Sequence, residues 1–88
     1  MTQPAITMYM TGWCPYCQRA GALLEQRHLV VTQINVDDDP KFRADMVARS
    51  GRRTVPQIFI GDRHVGGCDD LYALDASGEL DRLLSTPS

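Results

Sequence analysis

The spacing of apolar and polar positions divides the chain into short elements. AITMYM (5–10) is apolar and partly β-branched, which predicts a buried strand. In PYCQRAGALLEQRH (15–28), Cys17, Ala20, Gly21 and Leu24 recur at i, i+3, i+4 and i+7, one face of a helix with Pro15 in its first turn. LVVTQINV (29–36) reads as a second strand, Val31, Gln33 and Asn35 alternating against Val30, Thr32, Ile34 and Val36. Asp39 is placed to cap a second helix that opens with Pro40 and stops at Gly51, with Phe42, Met46 and Val47 facing inward. VPQIFI (55–60), the turn Gly61-Asp62 and RHV (63–65) predict a hairpin. Gly66-Gly67 then breaks the chain, Asp69 or Asp70 is expected to cap a helix through Leu71 and Leu74, and a short last helix after Gly78 would bury Leu80, Leu83 and Leu84. The tail STPS (85–88) reads as frayed.

The resulting order is β-α-β-α-β-β-α. Strand, helix and parallel strand make a right-handed crossover, and the hairpin adds an antiparallel pair. An α/β fold follows, a small mixed sheet covered by helices on both faces, and 88 residues are enough for a single domain over 1–88. A formal net charge of −2 gives no footprint for nucleic acid or an anionic membrane. No apolar run approaches the ~18 residues of a membrane span, and MTQPAITMYM lacks the basic-then-apolar order of a secretory signal. Three cysteines are an odd number and too few for a secreted disulfide framework. A cytoplasmic protein is therefore expected, and in that setting a Cys-x-x-Cys is more often catalytic or metal-binding than structural.

The pair lies in GWCPYCQ (12–18), with Cys14 where the first strand gives way to the helix and Cys17 one turn later. At a helix start the unpaired N–H groups and the macrodipole favour an anion, and a thiolate is one. Pro15 fixes the backbone there and has no N–H to offer. A thiol that ionises readily gains little as an attacker, because nucleophilicity falls with basicity; it gains more as a leaving group from a mixed disulfide. That favours a catalyst repeatedly loaded and unloaded. Two other readings stand beside it. Cys14, Cys17, His64 and Cys68 supply a zinc set by atom type, although the gap between the pairs is long and Pro15 stiffens the loop. Alternatively, the two cysteines are simply small core side chains.

Other residues suit thiol chemistry. Thr54-Val55-Pro56 precedes a strand, and with a cis bond the N–H and C=O of Val55 would project sideways to pair with an extended peptide. Gly66-Gly67-Cys68-Asp69-Asp70 joins a strand to a helix: two glycines allow close approach, the helix start offers N–H groups to a carboxylate, and Asp69 can hold an ammonium. Carboxylate and amine side by side are the end of an α-amino acid; the plainer reading is a turn with an N-cap. Arg52 and Arg53 are candidate carboxylate contacts. Trp13 and Tyr16 flank the cysteines, Trp13 either shaping access or packing in the core. Cys68 reads as a bystander thiol, and His28 and His64 as structural.

CPYC after a first strand, TVPQIFI, and GGCDDLYAL in that order resemble the dithiol glutaredoxins, in particular their short bacterial type, over nearly the whole chain. The resemblance implies a thioredoxin-like fold with a four-stranded mixed sheet, no permanently bound cofactor, and glutathione as co-substrate. Cys14 would be the nucleophile and Cys17 the resolving thiol. Thr54, Val55 and a cis Pro56 would lie along the glutathione backbone, and Cys68 (by its backbone) and Asp69 (by its side chain) would hold the γ-glutamyl end. Glutathionylated or disulfide-containing proteins would be the partners, ribonucleotide reductase being a client by resemblance alone. Many relatives carry a lysine where this chain has Thr11, a residue that can bind the glycyl carboxylate; Arg52 or Arg53 is expected to replace it. A glutathione-ligated iron–sulfur carrier or a zinc site on Cys14 is the reading from another class, and a thioredoxin reduced by a flavoprotein a further rival. A monomer is expected, since nothing in the sequence demonstrates an exposed apolar surface.

Overall fold

The computed structural model describes residues 4–85. Its elements are β1 (Ile6–Met10), α1 (Pro15–Gln26), β2 (Val31–Asn35), α2 (Pro40–Ser50), β3 (Gln57–Ile60), β4 (Arg63–Gly66), α3 (Cys68–Ala76) and α4 (Glu79–Ser85). The four strands form one sheet in the order β2-β1-β3-β4. β1 pairs in parallel with β2 and antiparallel with β3, which pairs antiparallel with β4. This is the thioredoxin-like α/β arrangement. The short last helix expected after Gly78 is α4, parted from α3 where Gly78 turns left-handed at φ 81°, so the order β-α-β-α-β-β-α gains a final α. Ser85 ends α4, and the rest of the tail expected to fray lies outside the described residues.

Strand alternation sorts the core into two layers. Ile6 and Met8 of β1 and Ile58 and Ile60 of β3 pack with Ala20, Leu23 and Leu24 of α1, Leu71 of α3 and Leu80 of α4. Tyr9 and Phe59, pointing the other way, pack with Val36 and with Met46 of α2. Phe42, expected on the inward face of α2, is instead exposed; only Met46 is fully buried on that helix. A helix that covers half of a short sheet needs only a narrow apolar stripe.

The helix ends follow local chemistry. Asp39 accepts the Lys41 N–H at 2.9 Å, and Gly51 closes α2 in the left-handed region at φ 72°. α1 stops at Gln26, two residues before its expected end. His28 takes the left-handed position at φ 58°, its N–H bonding to Glu25 O at 2.9 Å, while Leu29 N–H reaches Leu24 O at 3.1 Å. That paired closure satisfies the last carbonyls and returns Leu29 to the core. Arg27, capping the same end, pairs with Asp75 and Asp81, tying α1 to α3 and α4.

Because Leu24 is fully buried and Phe42 is not, truncating them should separate cleanly. Leu24→Ala should cost about 2–5 kcal/mol and Phe42→Ala under ~1 kcal/mol, read from urea unfolding midpoints at constant m.

Candidate active site

Cys14 is the N-cap of α1, with extended backbone at φ −84° and ψ 116°, and Pro15 occupies the first helical turn. The first-turn N–H of Cys17, which has no intrahelical acceptor, donates to Cys14 Sγ at 3.3 Å. On its other side the Cys14 thiol donates to the carbonyl of Val55 at 3.8 Å. Strand end, helix start and the loop before β3 therefore meet at one sulfur, in a residue only 5% exposed.

Cys17 is deeper, 2% exposed, on the inward face of α1. Burial pushes its thiol up from 9.0 to about 12; the Thr11 backbone amide opposes this in part, and the Cys14 sulfur adds to it. The two thiols are thus unequal: one capping the helix with an amide aimed at it, the other held protonated. Burial also pushes the Cys68 thiol up. All three cysteines are free thiols.

Beside Cys14 runs a cleft of about 180 Å³ lined by Tyr16, Arg52, Thr54, Val55, Pro56, Gln57, Gly67, Cys68, Asp69 and Asp70. The Val55–Pro56 bond is cis. The opposite wall is the start of α3. There neither Asp69 nor Asp70 is the N-cap, as had been expected; Gly67 is, and Asp70 reaches back from the first turn to accept the Gly67 N–H at 2.9 Å. That bond and the Arg52 guanidinium 3.2 Å away hold the Asp70 carboxyl below its usual range. Gly66, buried at φ 118°, leaves no room for a side chain: a Cβ there would overlap the Asp70 carboxylate.

The structure gathers Tyr16, Arg52, Thr54, Val55, Pro56, Gly67, Cys68 and Asp69 around one cleft, with Cys14 held against its Val55 wall. Cys17 lies behind Cys14 and lines another cavity, and Thr11, Arg53 and Trp13 also stand away from the cleft. Thr11 is buried, its hydroxyl without a partner among the described residues, and lines the same cavity as Cys17, with Met8, Gln18 and Gly21. Arg53 points to a groove along α2 with Val36, Pro40 and Val47. Trp13 is 71% exposed, which rules out the core role, and its Nε1–H donates to Asp37 Oδ2 at 3.3 Å. The zinc set does not assemble: His64 Nε2 is engaged with Gln57 Oε1 at 2.7 Å, and among the described residues no three His, Cys, Asp or Glu side chains stand close enough to hold a metal ion. Among the described residues, too, no helix is long and apolar enough to cross a membrane. Sequence reasoning missed Gln57, a buried polar residue of the cleft; the available signal was one amide side chain opening the otherwise apolar QIFI.

A family model described as "Glutaredoxin" matches residues 6–65. Glutaredoxin 3 of Escherichia coli strain K12 is 52% identical over 79 residues, covering 90% of this chain and 95% of that protein. The solution structure of a glutaredoxin from Brucella melitensis superposes with a TM-score of 0.85 at 50% identity, covering 98% of this chain and 94% of that one. A crystal structure of the buckwheat glutaredoxin–glutathione complex superposes with a TM-score of 0.84 at 30% identity, covering 94% of this chain and 77% of that one.

The raised Cys17 thiol carries a pH signature. Below 9.0 both folded and unfolded chains keep its proton; between 9.0 and about 12 only the folded chain does, so unfolding releases a proton and stability falls as pH rises. Urea midpoints of the wild type should therefore drop more steeply above that lower value than those of Cys17→Ala. Parallel curves would mean that the buried thiol is not the titrating group.

Proposed function

The chain belongs to the glutaredoxin family, whose members are thiol oxidoreductases working with glutathione, and from that premise we propose which thiol does what. In the one-thiol route Cys14, as thiolate, attacks the glutathione sulfur of a protein–glutathione mixed disulfide. The S–S bond breaks, the protein thiolate leaves and takes up a proton, and glutathione remains on Cys14. A second glutathione thiolate attacks that glutathione sulfur, giving glutathione disulfide and freeing Cys14. In the two-thiol route Cys14 opens a protein disulfide; Cys17 then loses its proton, attacks Cys14 Sγ, and releases the protein as a dithiol. Two glutathiones reduce the Cys14–Cys17 bond in turn.

The observation that carries this reading is the position of Cys14 Sγ between the Cys17 amide and the carbonyl of Val55, a residue of the cleft wall. The amide offers the polarity an attacking or departing thiolate needs. The high Cys17 thiol suits a resolving group that stays quiet until the mixed disulfide has formed, since a protonated thiol does not attack.

Glutathione fits the cleft as an extended peptide. Val55 pairs with its cysteinyl portion through backbone groups, with Thr54 and Pro56 alongside. The first-turn amides of α3, Cys68 among them, receive the γ-glutamyl carboxylate, and Asp69 takes its ammonium. Gly67 keeps that wall close to the peptide, Gly66 makes room for the Asp70 brace, and Tyr16 covers one edge. Arg52 is the cation of the cleft lining that can reach a carboxylate, by sharing or leaving Asp70. Trp13, exposed beside the nucleophile, faces the client protein. The clients are glutathionylated or disulfide-bonded proteins, ribonucleotide reductase among the candidates, in a cytoplasm that supplies glutathione.

Glutathione-coupled reduction of a glutathionylated peptide tests the assignment. Cys14→Ser should be inactive, and Cys17→Ser should retain turnover on the peptide while losing it on a protein disulfide. Full activity in Cys14→Ser, or none in the wild type, overturns the reading.

A further inference from the structure

Thr54 and Val55 belong to a stretch between α2 and β3 with no regular backbone pairing of its own. One wall of the cleft is therefore a loop, and a peptide that must align with Val55 gains affinity if that loop is already in place. What holds it is a buried side chain. Gln57, 1% exposed, turns its amide back so that Nε2–H donates to the Thr54 carbonyl at 3.0 Å and to Thr54 Oγ1 at 3.2 Å. Its Oε1 faces His64 Nε2 at 2.7 Å. An amide oxygen can only accept, so His64 donates, and its Nε2 carries the proton.

His64 is itself held from two sides. It is cross-strand from Phe59 in the β3–β4 register, with ring centroids 4.9 Å apart and planes tilted by 32°. The Arg49 guanidinium covers the Phe59 ring at 4.1 Å and donates to Tyr9 Oη at 3.0 Å. Burial and the nearby Arg52 cation lower the His64 pKa, with the Asp70 carboxylate opposing them, which keeps the ring neutral near neutral pH. A leucine at position 57 would fill such a site without a desolvation cost, so an amide there is explained by what it holds.

We propose that Gln57 and His64 are positioning residues, a hydrogen-bonded relay from β4 through β3 that presets the Thr54–Val55 wall for the glutathione portion of the substrate. The inference rests on the glutathione reading above. Neither residue touches the reacting sulfurs; both act on the loop that the peptide lies against.

The test is steady-state kinetics on a glutathionylated peptide with Gln57→Leu, His64→Phe and the double variant. Gln57→Leu should raise KM for the peptide about tenfold, with kcat within about twofold, because a loop left to order itself costs binding rather than chemistry. His64→Phe keeps the stacking and removes the donor, and should raise KM about threefold. The double variant should match Gln57→Leu alone, since His64 works only through Gln57. The alkylation rate of Cys14 by iodoacetamide should be unchanged in all three. An unchanged KM in Gln57→Leu beside an active wild type, with only a lowered Tm, overturns the positioning role alone; so does additivity in the double variant. Absence of wild-type turnover overturns the glutathione reading and this role with it. If Gln57→Leu does not fold, His64→Phe decides by its KM.

Discussion

A helix start leaves amides that need acceptors, and in this chain one of them finds a sulfur. The Cys17 N–H meets Cys14 Sγ at 3.3 Å, Pro15 having removed a competing donor and set the helical φ. The same contact orders the pair. Cys14 must be the outer residue because it caps α1, and Cys17, one turn on, must fall on the helix face that packs against the sheet. Inequality between the two thiols is therefore built into where the helix begins, and the rest of the cleft is assembled around that beginning.

Most of the fold was legible because it rests on periodicity. Strands with period two and helices with period near 3.6 were read within a residue or two, and so were the Asp39 cap and the Gly51 stop. The misreadings share a cause: each depended on a partner distant in the chain. Phe42 satisfies the helical pattern, yet Met46, with Val47 beside it, is what packs against Tyr9 and Phe59. His28 was read at the helix end, but the return of Leu29 to the core brings that end forward to Gln26. Asp70 has the right chemistry for a cap and serves instead as the brace between Gly67 and Arg52.

In the site, the dithiol was legible from its local motif, whereas the cis proline followed only from the family resemblance. The direction of each arginine was not legible, because successive residues of an extended segment face opposite ways: Arg52 shares the cleft with Thr54, while Arg53 turns to α2. Gln57 was hidden by being polar in a strand whose neighbours are all buried and apolar. Only the register that brings His64 within 2.7 Å shows why an amide is tolerated there.

The contact between Cys14 and the Val55 carbonyl spans 41 positions in the chain. Pairings of that separation form late, after loop closure has been offset by the sheet contacts that flank them. A nascent or unfolded chain thus carries two ordinary, equivalent thiols three residues apart, without a cleft to select a partner. In the proposed mechanism the two thiols differ only where the α1 start and the loop before β3 have come together, so the chemistry assigned to them belongs to the folded chain alone.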